Sequence, residues 1–511
     1  MKLQDIILYV PLMIITSWGI QYFFVTPMIK KQEGVTLKSG QSLIATPADQ
    51  LTKPLLLDIA FAQERGMPEQ KSTVTTPHAT YTFSTHGGSL VHIENIRTIN
   101  HKQEALSILD ITDDHEKKAG GLFVALTEAS PYEYQLIRNQ RDDHQTTVIY
   151  EAQTTEATIT KQFIIDDHTH VIDTTITIEP RGQKTVLPRI FLPGPLVPAL
   201  GAQQNNMALA FTDKNVIEKI KPADVINKIW VQPTLFGAEN RYFVNALITD
   251  NQKFTQRAYY KIINNEVTTI LEGPAITEKK TWTMSFYCGP KDNSSMVAAD
   301  PRLEETLEYG WFGPLSKMLL GLLNLLYSYV HNYGWAIVIM TILMNLLTYP
   351  LTVKSSSNIN KHAEYARKKQ YLEQKYKHDR ELLAHEQAEL ATKYGPKAGD
   401  MLGCLPYLIL IPVFMALNKV LNNSIDLYHA PFIGWITDLS VKDPYYVLPT
   451  IMGLGILLQG AQGTNHDPRQ YVLKIFIALV VVGIMGNFSA GLTLFLCTKT
   501  ICDFIQNKLQ K

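Results

Sequence analysis

The residues most able to do chemistry lie inside apolar stretches. Thr341, Asn345, Thr348 and Thr352 recur at helical spacing within residues 334–353, while Ile337, Leu343 and Leu346 cover much of the remaining surface. Near the C-terminus Lys499, Asp503 and Gln506 follow the same spacing, and Gln459 sits near the end of another apolar run. Polar groups at bilayer depth are costly, so they face a protein interior or a watery cavity. The chemistry they offer is hydration, hydrogen bonding and charge in a low-dielectric setting. Lys499 and Asp503 have two readings: a structural i,i+4 pair, or a positive charge placed in the same cavity as Asn345. Covalent chemistry finds little support. Gly486-Asn487-Phe488-Ser489-Ala490-Gly491 loosely resembles a serine-nucleophile turn, but no histidine lies in the last four apolar segments to activate Ser489. His168-Thr169-His170 in an extended run would put two imidazoles on one face, as a metal site might, although a surface strand end beside Asp166 and Asp167 accounts for them more simply. The four cysteines (Cys288, Cys404, Cys497, Cys502) show no metal-ligand spacing, and only Cys288 lies in the soluble part.

These groups need elements to hold them. The chain has 511 residues, 46% hydrophobic, with 47 basic and 47 acidic side chains, so no global attraction to nucleic acid is implied. Apolar residues concentrate at the start and after residue 315. Residues 6–24 form an apolar run about long enough to span a bilayer, and no small-x-small cleavage site follows, which reads as an uncleaved signal anchor. Residues 36–71 show little periodicity and read as a linker or an irregular lead-in. A β-rich region follows. Ile159, Phe163 and Ile165 share one face of a strand, Ile172, Thr174, Ile176 and Ile178 another, and Trp282, Met284 and Phe286 a third. With turns at Gly87-Gly88, Pro180-Arg181-Gly182 and Asn264-Asn265, this order predicts an antiparallel sandwich.

Residues 315–331 form an amphipathic helix, apolar at Leu315, Met318, Leu319, Leu322 and Leu326 and polar at Lys317, Asn324, Ser328 and His331. Its place before a spanning segment suits a helix lying on the bilayer surface. Five spans are expected at 334–353, 402–421, 445–461, 471–486 and 491–508. Between the first two, residues 354–400 are rich in Lys and Arg with acidic residues at i,i+4 spacing, predicting a helical hairpin that bends near His378-Asp379. Its basic excess places it in the cytoplasm, and the acidic loop at 422–444 lies opposite. Counting back puts the β domain outside and both termini inside. The expected fold is a multi-span α-helical membrane protein of six transmembrane helices with an inserted antiparallel β-sandwich and a cytoplasmic helical hairpin. Its parts are a signal-anchor helix (1–30), the β domain (31–305), the interfacial helix (306–332) and a five-helix core (333–511) carrying the hairpin (354–401).

Tyr349-Pro350-Leu351-Thr352, Leu402-Gly403-Cys404-Leu405-Pro406 leading to Ile411-Pro412-Val413-Phe414, and Ala430-Pro431-Phe432 through Trp435-Ile436-Thr437-Asp438-Leu439-Ser440 to Asp443-Pro444-Tyr445-Tyr446 are the most specific stretches of the helical half. They resemble the YidC/Oxa/Alb family of membrane-protein insertases, in the Gram-negative form with a large periplasmic domain. Ser489-Ala490-Gly491-Leu492 and Glu308-Tyr309-Gly310-Trp311 resemble further family motifs, so the resemblance covers nearly the whole chain. It implies a multi-pass protein of the bacterial inner membrane, neither enzyme nor metalloprotein, with no cofactor. A hydrated groove within the inner leaflet would take hydrophobic segments of newly made proteins and release them laterally into lipid. The groove residues would be Thr341, Asn345, Thr348, Thr352, Gln459, Lys499 and Asp503. Implied partners are nascent membrane proteins, the Sec translocon and its accessory subunits, a ribosome or signal-recognition-particle receptor at the 354–401 hairpin, and membrane lipids. The protein would act as a monomer. Where this chain has Asn345 most of the family has an arginine, so the groove here lacks that charge, and Lys499 is the candidate replacement. Phe495 and Leu496 also replace a frequent tyrosine pair. The rival reading is a polytopic transporter with a polar path through its spans, but the halves show no evident repeat and the charged hairpin is unexplained by transport.

Overall fold

The strand Ala157–Asp166 alternates without a break between buried and half-buried side chains, one face lined by Ile159, Phe163 and Ile165. Val171–Pro180 beside it, and Lys280–Pro290 on the far side of Val171–Pro180, bury Ile172, Ile176 and Ile178, and Trp282, Met284 and Phe286, as their patterns predict. In the computed structural model these strands lie at the middle of a nine-stranded antiparallel sheet, with Thr160 opposite Thr177 and Met284 opposite Thr174. The structure describes residues 53–509 except 63–65, 100–101, 112–118, 128, 183, 197–206, 213–215, 226, 264–265, 308, 310–311, 377–379, 395–404 and 461–467. The expected signal anchor at 6–24, most of the 36–71 segment, Asn264-Asn265, the hairpin bend and Cys404 therefore lie outside the described residues.

Two smaller antiparallel sheets, of four and five strands, cover the inner face of the large one. Phe83 of the four-stranded sheet stacks on Phe163, centroids 4.9 Å apart, and Tyr260 of the five-stranded sheet stacks on Phe236 at 4.5 Å. One continuous core joins all three sheets, as sheet-on-sheet packing requires. Buried charges are tied down. Arg257 and Glu272 pair bidentately at 2.8 Å, with the Tyr259 hydroxyl donating to the same carboxylate at 3.2 Å. Lys161 points into the core from the strand's apolar face and donates to the carbonyls of Gly87 (2.7 Å) and Leu122 (3.4 Å), its Nζ 4.5 Å from the Tyr134 ring.

One local expectation changes. His168 and His170 do not share a strand face, because the chain turns there: His168 is exposed and His170 is buried against Tyr287. Among the described residues no group of ligands could hold a metal ion. The segment before residue 62 is also ordered where described. Leu55, Leu57, Ile59 and Phe61 pack on Phe123, Phe191, Tyr259 and Ile270, and Arg189 fixes the segment by donating to the carbonyls of Leu56 (2.5 Å) and Asp58 (3.1 Å).

The helical half begins after a short helix, α1 (Asn293–Ala299), with α2 (Gly313–Val330) and α3 (Tyr333–Lys375). Then come α4 (Arg380–Tyr394), α5 (Leu405–Asn423), α6 (Val447–Gly460), α7 (Pro468–Met485) and α8 (Ala490–Leu509). The first apolar segment and the first limb of the expected hairpin form one helix, α3, 43 residues long with Pro350 inside it. The second limb, α4, packs back on α3, and Gln387 donates to Glu373 across them at 3.4 Å. Glu364 and Lys368 pair at 2.9 Å, as their spacing predicts. Residues Tyr333–Pro350 are long and apolar enough to cross a membrane, and Val447–Leu458 and Val472–Met485 are shorter apolar helices.

Leu319 and Leu323 bury α2 against the bundle, while Met318, Leu325 and Tyr329 stay exposed. The loop after α5 docks on the β domain. Arg97 donates to the carbonyls of Ile425 and Tyr428 and pairs with Glu104 at 2.8 Å. Glu104 also contacts His429 Nδ1 at 2.6 Å, and Tyr428 packs on Tyr242, rings tilted by 35° with centroids 4.4 Å apart.

Candidate functional site

Helices α3 and α8 pack against one another, with α6 beside α8, around an apolar floor of Ile337, Met340, Leu492 and Phe495. Close approach depends on small residues. A Cβ on Gly334 would fall 2.0 Å from the Phe432 ring, so only hydrogen fits there. The opposite flank of α3 is bare: Leu343, Leu346 and Leu347 are exposed, Leu347 at 79%. Leu479 and Ile484 on α7 and Ile501 and Ile505 on α8 are exposed as well. Apolar patches of this extent are not kept in water and suit a lipid-facing surface.

The polar side chains meet where α3 faces α8. Lys499 donates to both oxygens of Asp503, at 3.0 and 2.9 Å. Asn345, 4% exposed, donates through Nδ2 to Asp503 Oδ1 at 3.4 Å and accepts from Gln506 Nε2 at 3.0 Å. Asn345 thus bridges the ion pair and Gln506, leaving a cluster that is polar and neutral in sum. Lys499 and Asp503 keep side-chain exposures of 20% and 33%, so the cluster opens to one side. Gln506, one turn beyond Asp503, is a member of the network, its place given by the i,i+3 step on the same face.

The threonines behave differently. Thr341 donates to the Ile337 carbonyl at 2.7 Å, Thr348 to Met344 at 3.0 Å and Thr352 to Tyr349 at 2.8 Å. Each hydroxyl satisfies its own proton on the helix behind it and presents only acceptor lone pairs outward. Thr341 is buried at 1% exposure, while Thr348 and Thr352 are half-exposed, so the stripe grows wetter along the helix. Gln459 lies near the end of α6, its side chain outside what the structure describes. Ser489 is buried just before α8.

The chain matches two family models end to end: YidC periplasmic domain over residues 71–322, and 60Kd inner membrane protein over residues 325–511. It is similar to the membrane protein insertase YidC of Geotalea daltonii, 39% identical over 272 residues, or 52% of this chain and 51% of that protein. It is similar also to that of Campylobacter jejuni, 40% identical over 222 residues, 43% of this chain and 42% of that protein. The matches thus span about half the length of the curated relatives. A crystal structure of an active YidC insertase with its first transmembrane domain resolved aligns over 88% of this chain and 94% of that one, at 14% identity and a TM-score of 0.38. From its two matched models and these relatives, the chain belongs to the YidC family of inner-membrane insertase proteins.

Proposed function

We propose that the chain is a membrane-protein insertase and chaperone whose working surface is the polar cluster of Asn345, Lys499, Asp503 and Gln506, continued by Thr341, Thr348, Thr352 and Gln459. The observation that carries this reading is a half-open, internally satisfied polar network set between apolar helices with bare flanks. A client's polar flank that must cross the bilayer loses its hydration, and that loss sets the barrier. A hydrated notch shortens the dry path, and the client's apolar segment moves along the exposed side of α3 into lipid, where burial supplies the free energy. No covalent step and no cofactor is involved.

In this reading the helices after residue 333 give five spans and the N-terminal segment a sixth, with both termini cytoplasmic and the β domain in the periplasm. The domain limits are 1–30, 31–305, 306–332 and 333–511. The pair formed by the end of α3 and α4 is cytoplasmic and receives ribosomes or the signal-recognition-particle receptor. The Sec translocon is a partner for larger clients, membrane lipids the medium of release, and the monomer the working form. A transporter would also use polar residues inside spans, but here they hydrogen-bond to one another instead of lining a free path. Photo-cross-linking tests the placement: a photoreactive residue at Thr348 should capture an arrested single-span client, and one at Ser328 on α2 should not. Equal capture at both positions refutes the groove.

A further inference from the structure

A cavity of about 520 Å³ lies where the β domain meets α2 and the end of α5. Asp292 reaches it from the β domain and Asp426 from the loop after α5. Asp292 Oδ1 accepts from Ser294 and from the Ser295 amide, and Asp426 Oδ2 from Ser424 at 3.2 Å; burial first, and the negative charge of Asp292 next, hold the Asp426 carboxyl above its usual range. The cations beside them are largely engaged. Arg97 serves Glu104 and two carbonyls, Lys291 Nζ is 2.7 Å from Glu239, and Lys317 pairs with Glu304. Lys419, on the last turns of α5, is exposed at the rim.

His170 supplies an independent sign of a ligand. It lines the same cavity at 5% exposure, and its Nδ1 has no hydrogen-bond partner. Burial, opposed by Asp292 and aided by His78, pushes its pKa down to about 4, so near neutral pH the ring is uncharged, and in the tautomer protonated on Nε2 the unpartnered Nδ1 accepts. Two carboxylates lining one cavity with a buried acceptor suit a cation that carries N–H groups.

We propose that this cavity binds the headgroup of a phospholipid with a primary amine, its ammonium held by Asp292, Asp426 and His170. The phosphate lies toward Lys419, and the acyl chains run along the outward apolar side of α2, where Leu320 lines the cavity and Met318 and Leu325 are exposed. The proposal rests on the reading of α2 as a helix on the bilayer surface. A quaternary ammonium has no N–H to donate to His170, and a headgroup without nitrogen has no cation for the carboxylates, so the site discriminates among lipids by headgroup alone.

Native mass spectrometry of the delipidated full chain, titrated with phosphatidylethanolamine, phosphatidylcholine and phosphatidylglycerol of identical acyl chains, tests this. The expected result is at least tenfold tighter binding of phosphatidylethanolamine than of either other lipid, falling to within about twofold in Asp426→Asn and in Asp292→Asn. Asparagine keeps the helix cap of α1, so the second variant is expected to fold. No preference among the lipids, or a preference intact in both variants, overturns the proposal. Displacement of the lipid by equimolar glycerophosphoethanolamine would assign the site to a soluble amine phosphate and overturn the lipid source. A spin label at Met318→Cys, read by oxygen accessibility in nanodiscs, reports separately on α2. A label in lipid without headgroup preference overturns the cavity assignment and leaves the insertase reading standing, and a label in water overturns the placement of the acyl chains.

Discussion

Asp503→Asn should turn a neutral groove into a cationic one. Asp503 holds Lys499 through two contacts of 2.9 and 3.0 Å, so a charge approaching from the open side meets opposite charges of nearly equal strength. Replacing the carboxylate by an amide keeps an oxygen for Asn345 and the shape of the side chain, but leaves the ammonium unopposed. A client carboxylate about 6 Å from that ammonium gains about 2.8 kcal/mol at an effective dielectric of about 20, and about 0.7 kcal/mol at that of bulk water. With about 1.4 kcal/mol for each tenfold, the gain lies between about threefold and a hundredfold. The half-open position of the pair places the expected value toward the lower end. The assay compares initial insertion rates of two single-span clients that differ only in an acidic or a neutral flank. Asp503→Asn should raise the acidic-to-neutral ratio, and Lys499→Ala, which leaves Asp503 anionic, should lower it. Unchanged ratios in both variants, with both proteins folded, would refute the electrostatic argument.

Other perturbations probe the scaffold. Lys161 is fully buried, its hydrogen bonds among the described residues going to backbone carbonyls, and burial drives its pKa well below that of a free lysine. The unfolded chain therefore holds the extra proton, and stability should rise with pH between the depressed folded value and the unfolded value near 10.4, by about 1.4 kcal/mol per pH unit. Lys161→Met should abolish that slope and protect the strand Ala157–Asp166 at neutral pH, as read by amide exchange corrected for intrinsic rates; an unchanged slope contradicts the assignment. Glu272→Gln leaves the Arg257 guanidinium buried and half-partnered, and should cost roughly 3–5 kcal/mol in chemical denaturation. A loss under 1 kcal/mol would mean that water replaces the carboxylate. Arg97→Ala removes charge-assisted bonds to the carbonyls of Ile425 and Tyr428 and should weaken docking of that loop by roughly 2–3 kcal/mol, seen as faster amide exchange at Leu427, Tyr428 and Ala430. Unchanged exchange would show that the Tyr242–Tyr428 contact suffices.

Much of this architecture can be read from period and type. Alternation at residues 157–166, 171–180 and 280–290 specifies which face of the large sheet is buried, because a one-residue slip would expose every isoleucine. The i,i+4 relation of Lys499 and Asp503 anticipates their pairing, and the stripe on α3 anticipates a polar face. Three features escape such reasoning. Lys161 falls at an inward position of its strand, but its carbonyl partners Gly87 and Leu122 come from elsewhere in the sequence, so its tolerance in the core depends on tertiary contacts. Leu55, Leu57, Ile59 and Phe61 do alternate, but so short a run beside a proline carries a weak signal, and its burial depends on Arg189 in a distant strand. The bridge from Asn345 to both Asp503 and Gln506 requires the register of α3 against α8, which no local pattern encodes. The threonines illustrate the converse: their spacing is plain in the sequence, but their protons are spent on their own helix.

Reconstitution of the purified chain in liposomes, with insertion of a short single-span client followed by protease protection, is the decisive test of insertion through the polar cluster. Protected client should lie well above that in empty liposomes and be reduced by a bulky apolar Asn345→Leu that breaks the bridge to Asp503 and Gln506. Protection no greater than in empty liposomes, with the protein shown to be folded, would contradict an autonomous insertase. Full activity of Asn345→Leu would contradict the assignment of the polar cluster as its working surface.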